Sequence, residues 1–332
     1  MAGVIETVNL VKRFGDVVAV DDVSISVEDG ELFGFLGPNG AGKTTTINIL
    51  TTLMRPTSGR AVVGGYDVVE NPNEVRRIVG VVPQELTVDE DLTGWENLML
   101  QGGLYHLSSA ARRQRAEELL ELVGLSDAKH RRVETYSGGM QKRLELACGL
   151  MHRPKVLFLD EPTLGLDVHT RSAIWEYIRR LRDELNITIF LTTHYLEEAD
   201  ALCNRVAIID KGRVMVTGTP SELKVRVGGD IIELETFNGH EGLVHALKEI
   251  DGVKRVISRD RAYHLTVERG EEVLPTILEA FVRLGVKVTK VTMKRPTLDE
   301  VFLEYTGRQL RQESSDWEDK LKSRFTIRRI RS

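Results

Sequence analysis

Through residues 1 to 35, apolar and polar positions alternate, with Val23, Ile25 and Val27 set against Ser24 and Ser26, and turns are expected at Gly15 and Glu28-Asp29-Gly30. A period of two sends successive side chains to opposite faces, so this stretch predicts antiparallel strands. From Leu32 the pattern changes. LFGFLG is a continuous apolar run entering a glycine-rich turn, and Thr44 to Leu53 follows with helical character, giving strand, loop, helix. Between residues 90 and 136 the texture is helical: Leu119, Leu120, Leu122 and Val123 form an apolar stripe that Gly124 is placed to stop, which predicts an all-helical insert. A helix over 138–151, the apolar strand of VLFLDEP, a helix over 168–185, the strand ITIFLTT and a helix over 196–203 complete the first part. Apolar strands alternating with helices predict a parallel sheet covered on both faces.

A break is expected between Gly218 and Gly229, followed by IIELETF, a helix over 242–250, KRVIS, AYHLTVE, a helix over 271–284 and VKVTKVTM. The order βαββαβ predicts a small ferredoxin-like α+β domain. Val273, Ile277, Leu278, Phe281 and Val282 read as the core stripe of its second helix, and Thr297 with Glu300 has the spacing of a capping box opening one more helix. The division expected is 1–222, with the helical insert at about 90–150, then 223–310, then a basic tail over 311–332. Residues 320 to 331 of that tail hold six Lys or Arg and no acid, which suits either anionic lipid, an acidic subunit surface or a solvated end.

Composition narrows the function classes. With 332 residues, 41% hydrophobic and 29% charged, the chain has the material for globular cores and exceeds one ordinary domain. A net charge of -5, from 45 basic and 50 acidic residues, offers no global positive field for a nucleic-acid backbone, and none is expected as a partner. Cys148 and Cys203 lack metal-ligand spacing. Apolar runs such as Val156 to Leu159 and Ile187 to Leu191 fall far short of the roughly 18 residues of a spanning helix, and the N-terminal stretch lacks the apolar region of a signal peptide.

Chemistry concentrates in a few places. GPNGAGKTT, comprising Gly37, Pro38, Asn39, Gly40, Ala41, Gly42, Lys43, Thr44 and Thr45, has the spacing G-x4-G-K-[ST] between a predicted strand and a predicted helix. Such a loop aims several backbone N–H groups at one point, the helix N-terminus adds favourable potential, Lys43 reaches the β- and γ-phosphates of a nucleotide, and Thr44 offers a hydroxyl to Mg²⁺. This is a P-loop, and it makes the first part an α/β P-loop NTPase core with an antiparallel β subdomain. Downstream, Leu157-Phe158-Leu159 ends in Asp160 and Glu161, where such a fold needs a carboxylate for Mg²⁺. Alternation along a strand sends the two side chains different ways, so Asp160 is read as the metal ligand and Glu161 as the general base. Gln84 and His194 can complete the γ-phosphate site, although a single histidine is more often structural.

The series GPNGAGKTT, Gln84 in VVPQE, Ser137-Gly138-Gly139, LDEP, Gly165-Leu166-Asp167 and TTH ending at His194 resembles the ABC ATPases over residues 3 to 222. The resemblance implies that Phe14 stacks on adenine, that Gln84 touches Mg²⁺ and senses a membrane partner, and that Ser137, Gly138 and Gly139 close over ATP held by the opposite subunit. It further implies that Asp167 crosses the dimer interface and that His194 contacts the γ-phosphate. YSGGM departs from the commoner LSGGQ at Tyr136 and Met140. With DEDLTGWENL and PTLDEVFLEYTGR, it is similar to the daunorubicin-resistance type of drug-export ATPase. That type implies ATP and Mg²⁺, a second copy of the chain, a separate ABC-2 type membrane permease, and a place on the cytoplasmic face of the membrane. It also implies export of a lipophilic or glycoconjugate substrate. Trp95, Leu98 and Tyr105 either line a groove for the membrane subunit or pack within the insert. The alternative class is a soluble, non-transport ABC ATPase, against which stand a single cassette and no long heptad segment.

Overall fold

The structure is a computed structural model that describes residues 3–237, 242–259, 262–294 and 296–307, and the chain divides into two units between Thr217 and Gly218. The basic tail read over 311–332 lies outside the described residues. The first unit runs β1 (Ile5–Phe14), β2 (Val17–Val27), β3 (Leu32–Leu36), α1 (Lys43–Leu50), β4 (Ser58–Val63), β5 (Tyr66–Asp67), α2 (Pro72–Ile78) and β6 (Val79–Val82). It continues with α3 (Gly94–Leu104), α4 (Ser109–Leu122), α5 (Gly138–Gly149), β7 (Val156–Asp160), α6 (Val168–Leu185), β8 (Thr188–Thr193), α7 (Leu196–Leu202), β9 (Arg205–Asp210) and β10 (Arg213–Gly218).

Strands β2-β1-β4-β5 form an antiparallel sheet, and β10-β9-β3-β8-β7-β6 form a six-stranded sheet in which β9, β3, β8, β7 and β6 are parallel. Phe190 centres the core, with its ring 5.7 Å from that of Phe33 and 5.5 Å from those of Phe35 and Phe158. Every residue of β3, β7 and β8 is buried, as continuous apolar strands in a covered sheet must be. Register then does the functional work. Leu36 pairs with Thr193 and Asp160 with Thr192, so the carboxyl ends of β3, β7 and β8 lie side by side at one edge of the sheet, where open α/β sheets bind ligands.

The insert is helical but interrupted: α3 begins at a capping box made by Thr93 and Glu96, α4 follows, and two short 3-10 turns lead to α5. Leu98 is fully buried and Trp95 lies beside Lys129 and His130, which favours packing within the insert for these two. Tyr105 stacks flat on His152, with ring centroids 3.7 Å apart.

The second unit starts with α8 (Pro220–Val227) and continues β11 (Asp230–Thr236), α9 (Leu243–Lys248), β12 (Val253–Arg259), β13 (Ala262–Val267), α10 (Gly270–Arg283), β14 (Val288–Lys294) and α11 (Leu298–Thr306). Its sheet order β12-β13-β11-β14, antiparallel throughout, is that of a ferredoxin-like fold. Two expectations need correction. The break expected after Gly218 contains a helix, α8, opened by a Thr219–Glu222 capping box with Pro220 in its first turn. Val282 is not core: it is 78% exposed, because Val273, Ile277, Ala280 and Phe281 already occupy the inward face of α10 and the next residue turns about 100° away.

Candidate functional site

The glycine loop, Gly37 to Gly42, connects the buried β3 to α1. Its last residue shows why the sequence is constrained: Gly42 has φ +106°, and a Cβ there would lie 2.3 Å from the Ala19 carbonyl oxygen on β2. Lys43 follows as the first residue of α1 and is only 4% exposed. Its Nζ donates to the carbonyls of Gly37 at 2.7 Å and Pro38 at 3.1 Å, and lies 3.0 Å from Glu161 Oε1. Asn39, Gly40 and Thr44 are exposed and Thr45 is half-buried, so the loop opens to solvent above a buried cation.

Asp160 ends β7 and accepts a hydrogen bond from the Thr192 hydroxyl on β8. Glu161 is already off the strand. Its φ of +48° is left-handed, held by its N–H donating to both the carbonyl and the hydroxyl of Thr192 at 3.1 Å. The two carboxylates therefore diverge because the chain turns there, not through strand alternation as the sequence suggested. Glu161 Oε2 lies 2.9 Å from His194 Nδ1. A carboxylate can only accept, so Nδ1 carries the proton in that pair. Burial pushes the Glu161 carboxyl up, but the His194 hydrogen bond and the Lys43 charge outweigh it and hold the pKa at about 2. Lys43, Glu161 and His194 thus form one hydrogen-bonded line at the mouth of the glycine loop, with Asp160 alongside.

Other predicted residues lie apart from this line. Gln84 is exposed after β6, and among the described residues no hydrogen bond joins its side chain to Lys43, Asp160, Glu161 or His194. Phe14 ends β1 with its ring 47% exposed and Lys12 Nζ 5.1 Å from its centroid. Ser137 caps α5, its hydroxyl accepting from the Met140 N–H at 3.3 Å, while Ser137 and Gly138 face solvent. Gly139 packs against α6: a Cβ there would meet the Thr170 methyl at 2.6 Å. Asp167 caps α6, accepting from the Thr170 N–H and hydroxyl at 3.0 and 2.6 Å, bonds that lower its pKa. Tyr136 is buried, and its hydroxyl donates to the Ala128 carbonyl at 2.7 Å, anchoring the Ser137 turn to the insert.

Several residues at the site went unread in the sequence. Thr192 orients Asp160 and Glu161, yet a threonine inside a continuous apolar strand carries no signal of its own. Glu145, in α5, accepts from Lys142 Nζ at 2.7 Å and from the Thr87 N–H at 2.6 Å, forming a buried pair that joins α5 to the segment after Gln84. The spacing of Lys142 and Glu145 places them on one helix face, but only the fold buries that face.

Residues 20–164 match the family described as ABC transporter, and residues 218–306 match that described as ATP-binding protein DrrA1-3-like, C-terminal domain. The daunorubicin resistance ATP-binding protein DrrA3 of Streptomyces coeruleorubidus is 44% identical over 297 residues, covering 89% of this chain and 93% of its own. The doxorubicin resistance ATP-binding protein DrrA of Mycobacterium tuberculosis is 43% identical over 319 residues, 92% of this chain and 94% of its own. An ATP-binding cassette solved as a dimer in a post-hydrolysis state with ADP and Pi superposes with a TM-score of 0.58 at 27% identity, over 65% of this chain and 98% of its own. Fold, glycine loop and these matches together define an ATP-binding cassette ATPase, a domain that binds and hydrolyses ATP. More particularly, the chain belongs to the daunorubicin-resistance, or DrrA, family of ABC transporter ATP-binding proteins.

Proposed function

We propose that this chain is the ATP-hydrolysing motor of an exporter, working as two copies with a separate ABC-2 type membrane permease to move a lipophilic, drug-like molecule outward. The observation that carries the reading is the Lys43–Glu161–His194 line at the mouth of the glycine loop. Lys43 would leave Glu161 for the β- and γ-phosphates of ATP, and Glu161, freed of its cation, would accept a proton from the attacking water. His194, with Nδ1 held by Glu161, would present Nε2 to the γ-phosphate. The exposed N–H groups at Ser137 and Gly138, at the start of α5, suit phosphate oxygens of an ATP carried by the second copy, and Asp167 would lie beside that junction.

The donor set fits Mg²⁺. Thr44 is an exposed hydroxyl and Asp160 a carboxylate, with Gln84 within the same half of the chain, and an ion of this kind takes few protein ligands besides phosphate oxygens and water. When bound there, Mg²⁺ would neutralise charge on the β- and γ-phosphates. Among the described residues no helix is long and apolar enough to cross a membrane, so a place on the cytoplasmic face would depend on the permease. Drug resistance in the names of the relatives supports the substrate class. The test is isolation of the full chain from gently solubilised native membranes. A stoichiometric partner with about six apolar spans supports the exporter, as spans of roughly 20 residues are readily counted in its sequence. Recovery with soluble partners alone, hydrolysis intact, overturns it in favour of a non-transport ATPase.

A further inference from the structure

Beyond the line from Lys43 to His194, a second set of contacts leads from His194 to the turn that carries Asp167. The Tyr195 ring lies 4.1 Å from the His194 ring, tilted by 40°. On Tyr195 sits the Arg171 guanidinium, 3.8 Å from the ring centroid. Arg171 is one helical turn after Asp167, its N–H donating to the Asp167 carbonyl at 2.9 Å and its Nη2 lying 3.5 Å from the Leu166 carbonyl. Its Nε is buried without a hydrogen-bond partner among the described residues, while the guanidinium as a whole stacks on the aromatic face and its charge also acts on Glu198.

Beneath this stack, Glu198 of α7 is fully buried. One of its oxygens accepts from the Thr163 hydroxyl at 2.8 Å and from the Trp175 indole N–H at 2.9 Å. Those donors bracket the segment that holds Asp167, so the start of α7, the turn at 163–167 and the first two turns of α6 are clasped together. Burial raises the Glu198 pKa, opposed by Thr193, Thr163, Trp175 and the charge of Arg171.

We propose that Arg171 and Tyr195 are positioning residues that lock the plane of the His194 ring, making hydrolysis depend on the placement of the Asp167 turn. The geometry requires one. Nδ1 is committed to Glu161, so the ring can still swing about that bond, and Nε2 reaches a phosphate only in one plane. Tyr195 supplies the wall against which the ring rests, and Arg171 ties that wall to the segment a second copy would displace. This rests on the assignment of Glu161 and His194 proposed above.

The test uses the full chain with MgATP, measuring kcat, KM, melting temperature and binding of a non-hydrolysable ATP analogue. Tyr195→Ala and Arg171→Met are expected to lower kcat about 10- to 100-fold, the effect of a small misplacement in an active site, with KM, analogue binding and melting close to wild type. Tyr195→Phe, which keeps the ring, and Arg171→Lys, which keeps the charge, should recover most of the loss. The double variant should be no slower than Tyr195→Ala, since the contacts act in series. An unchanged kcat, a loss that follows KM or melting, or additive effects in the double variant overturns the proposal. Should Tyr195→Ala fail to fold, Arg171→Met, at a half-buried position, carries the same test. Glu161→Gln runs alongside: if it hydrolyses ATP like wild type, the underlying assignment fails and takes the stack with it.

Discussion

Glu161→Gln keeps the shape of the side chain and removes its charge from a buried site between a lysine and a histidine. In the folded chain the carboxyl titrates at about 2 against an ordinary 4.5, because the His194 hydrogen bond and the Lys43 charge overcome the opposing effect of burial. A displacement of that size corresponds to about 3 kcal/mol of folding free energy. The folded pKa is the lower one, so this contribution is complete above about pH 4.5 and is lost as pH falls towards 2. At pH 7 the nucleotide-free variant is therefore expected to unfold in less urea than wild type, with the gap narrowing as the pH is brought from 5 towards 3. Trp95 and Trp175 both lie in the unit that holds the site, so their fluorescence reports its unfolding. With ATP the balance changes. Lys43 no longer has a carboxylate to leave, so the variant should bind ATP at least as tightly, while single-turnover hydrolysis falls about 10² to 10⁴-fold, the range for loss of a general base. Hydrolysis within about threefold of wild type, a difference well below the 10² floor for a general base, would refute the reasoning.

Lys43→Ala removes the cation that charge-assisted hydrogen bonds to phosphate need, and should weaken ATP binding about 10- to 100-fold in a fluorescence titration. Gly139→Ala places a methyl 2.6 Å from the Thr170 methyl, so it should destabilise the chain by about 1–3 kcal/mol in chemical unfolding. Adding Thr170→Ser, which removes that methyl and keeps the hydroxyl on Asp167, should recover most of the loss. Tyr136→Phe removes one of the two hydrogen bonds to the buried Ala128 carbonyl, which keeps that from the Arg131 N–H, and should cost about 0.5–1.5 kcal/mol, measured the same way, with ATP binding unchanged.

Much of this molecule is legible along the chain because its strongest signals are local. Val156 to Leu159 and Ile189 to Leu191 are too uniformly apolar to be anything but buried, and the helix expected over 168–185 has those bounds in the structure, where Asp167 proves to be its cap. The elements missed include β4 to β6 with α2, the hairpin of β9 and β10, and α8; all are short, and β4, β10 and α8 carry mixed exposure, so periodicity alone does not separate these from loops, whereas β9 is buried at every position but its first. Val282 shows the related limit: an apolar residue adjacent to a stripe reads as core until the helix is seen to have its inward face filled.

The sequence by itself determined that a phosphate cradle, two acids after an apolar strand, and a histidine after another belong to one chain, since each is a local motif with its own chemistry. It also determined the alternation of strands and helices from which a parallel sheet follows. Tertiary structure decided which of these groups touch. Register across β3, β8 and β7 brings Glu161 within hydrogen-bond reach of both Lys43, far earlier in the chain, and His194, 33 residues after it. The left-handed turn at Glu161, the Thr192 hydroxyl beneath it and the Arg171 cation on Tyr195 are contacts between distant segments. No pattern along a chain records them, because their energies exist only once burial has removed water from around both partners.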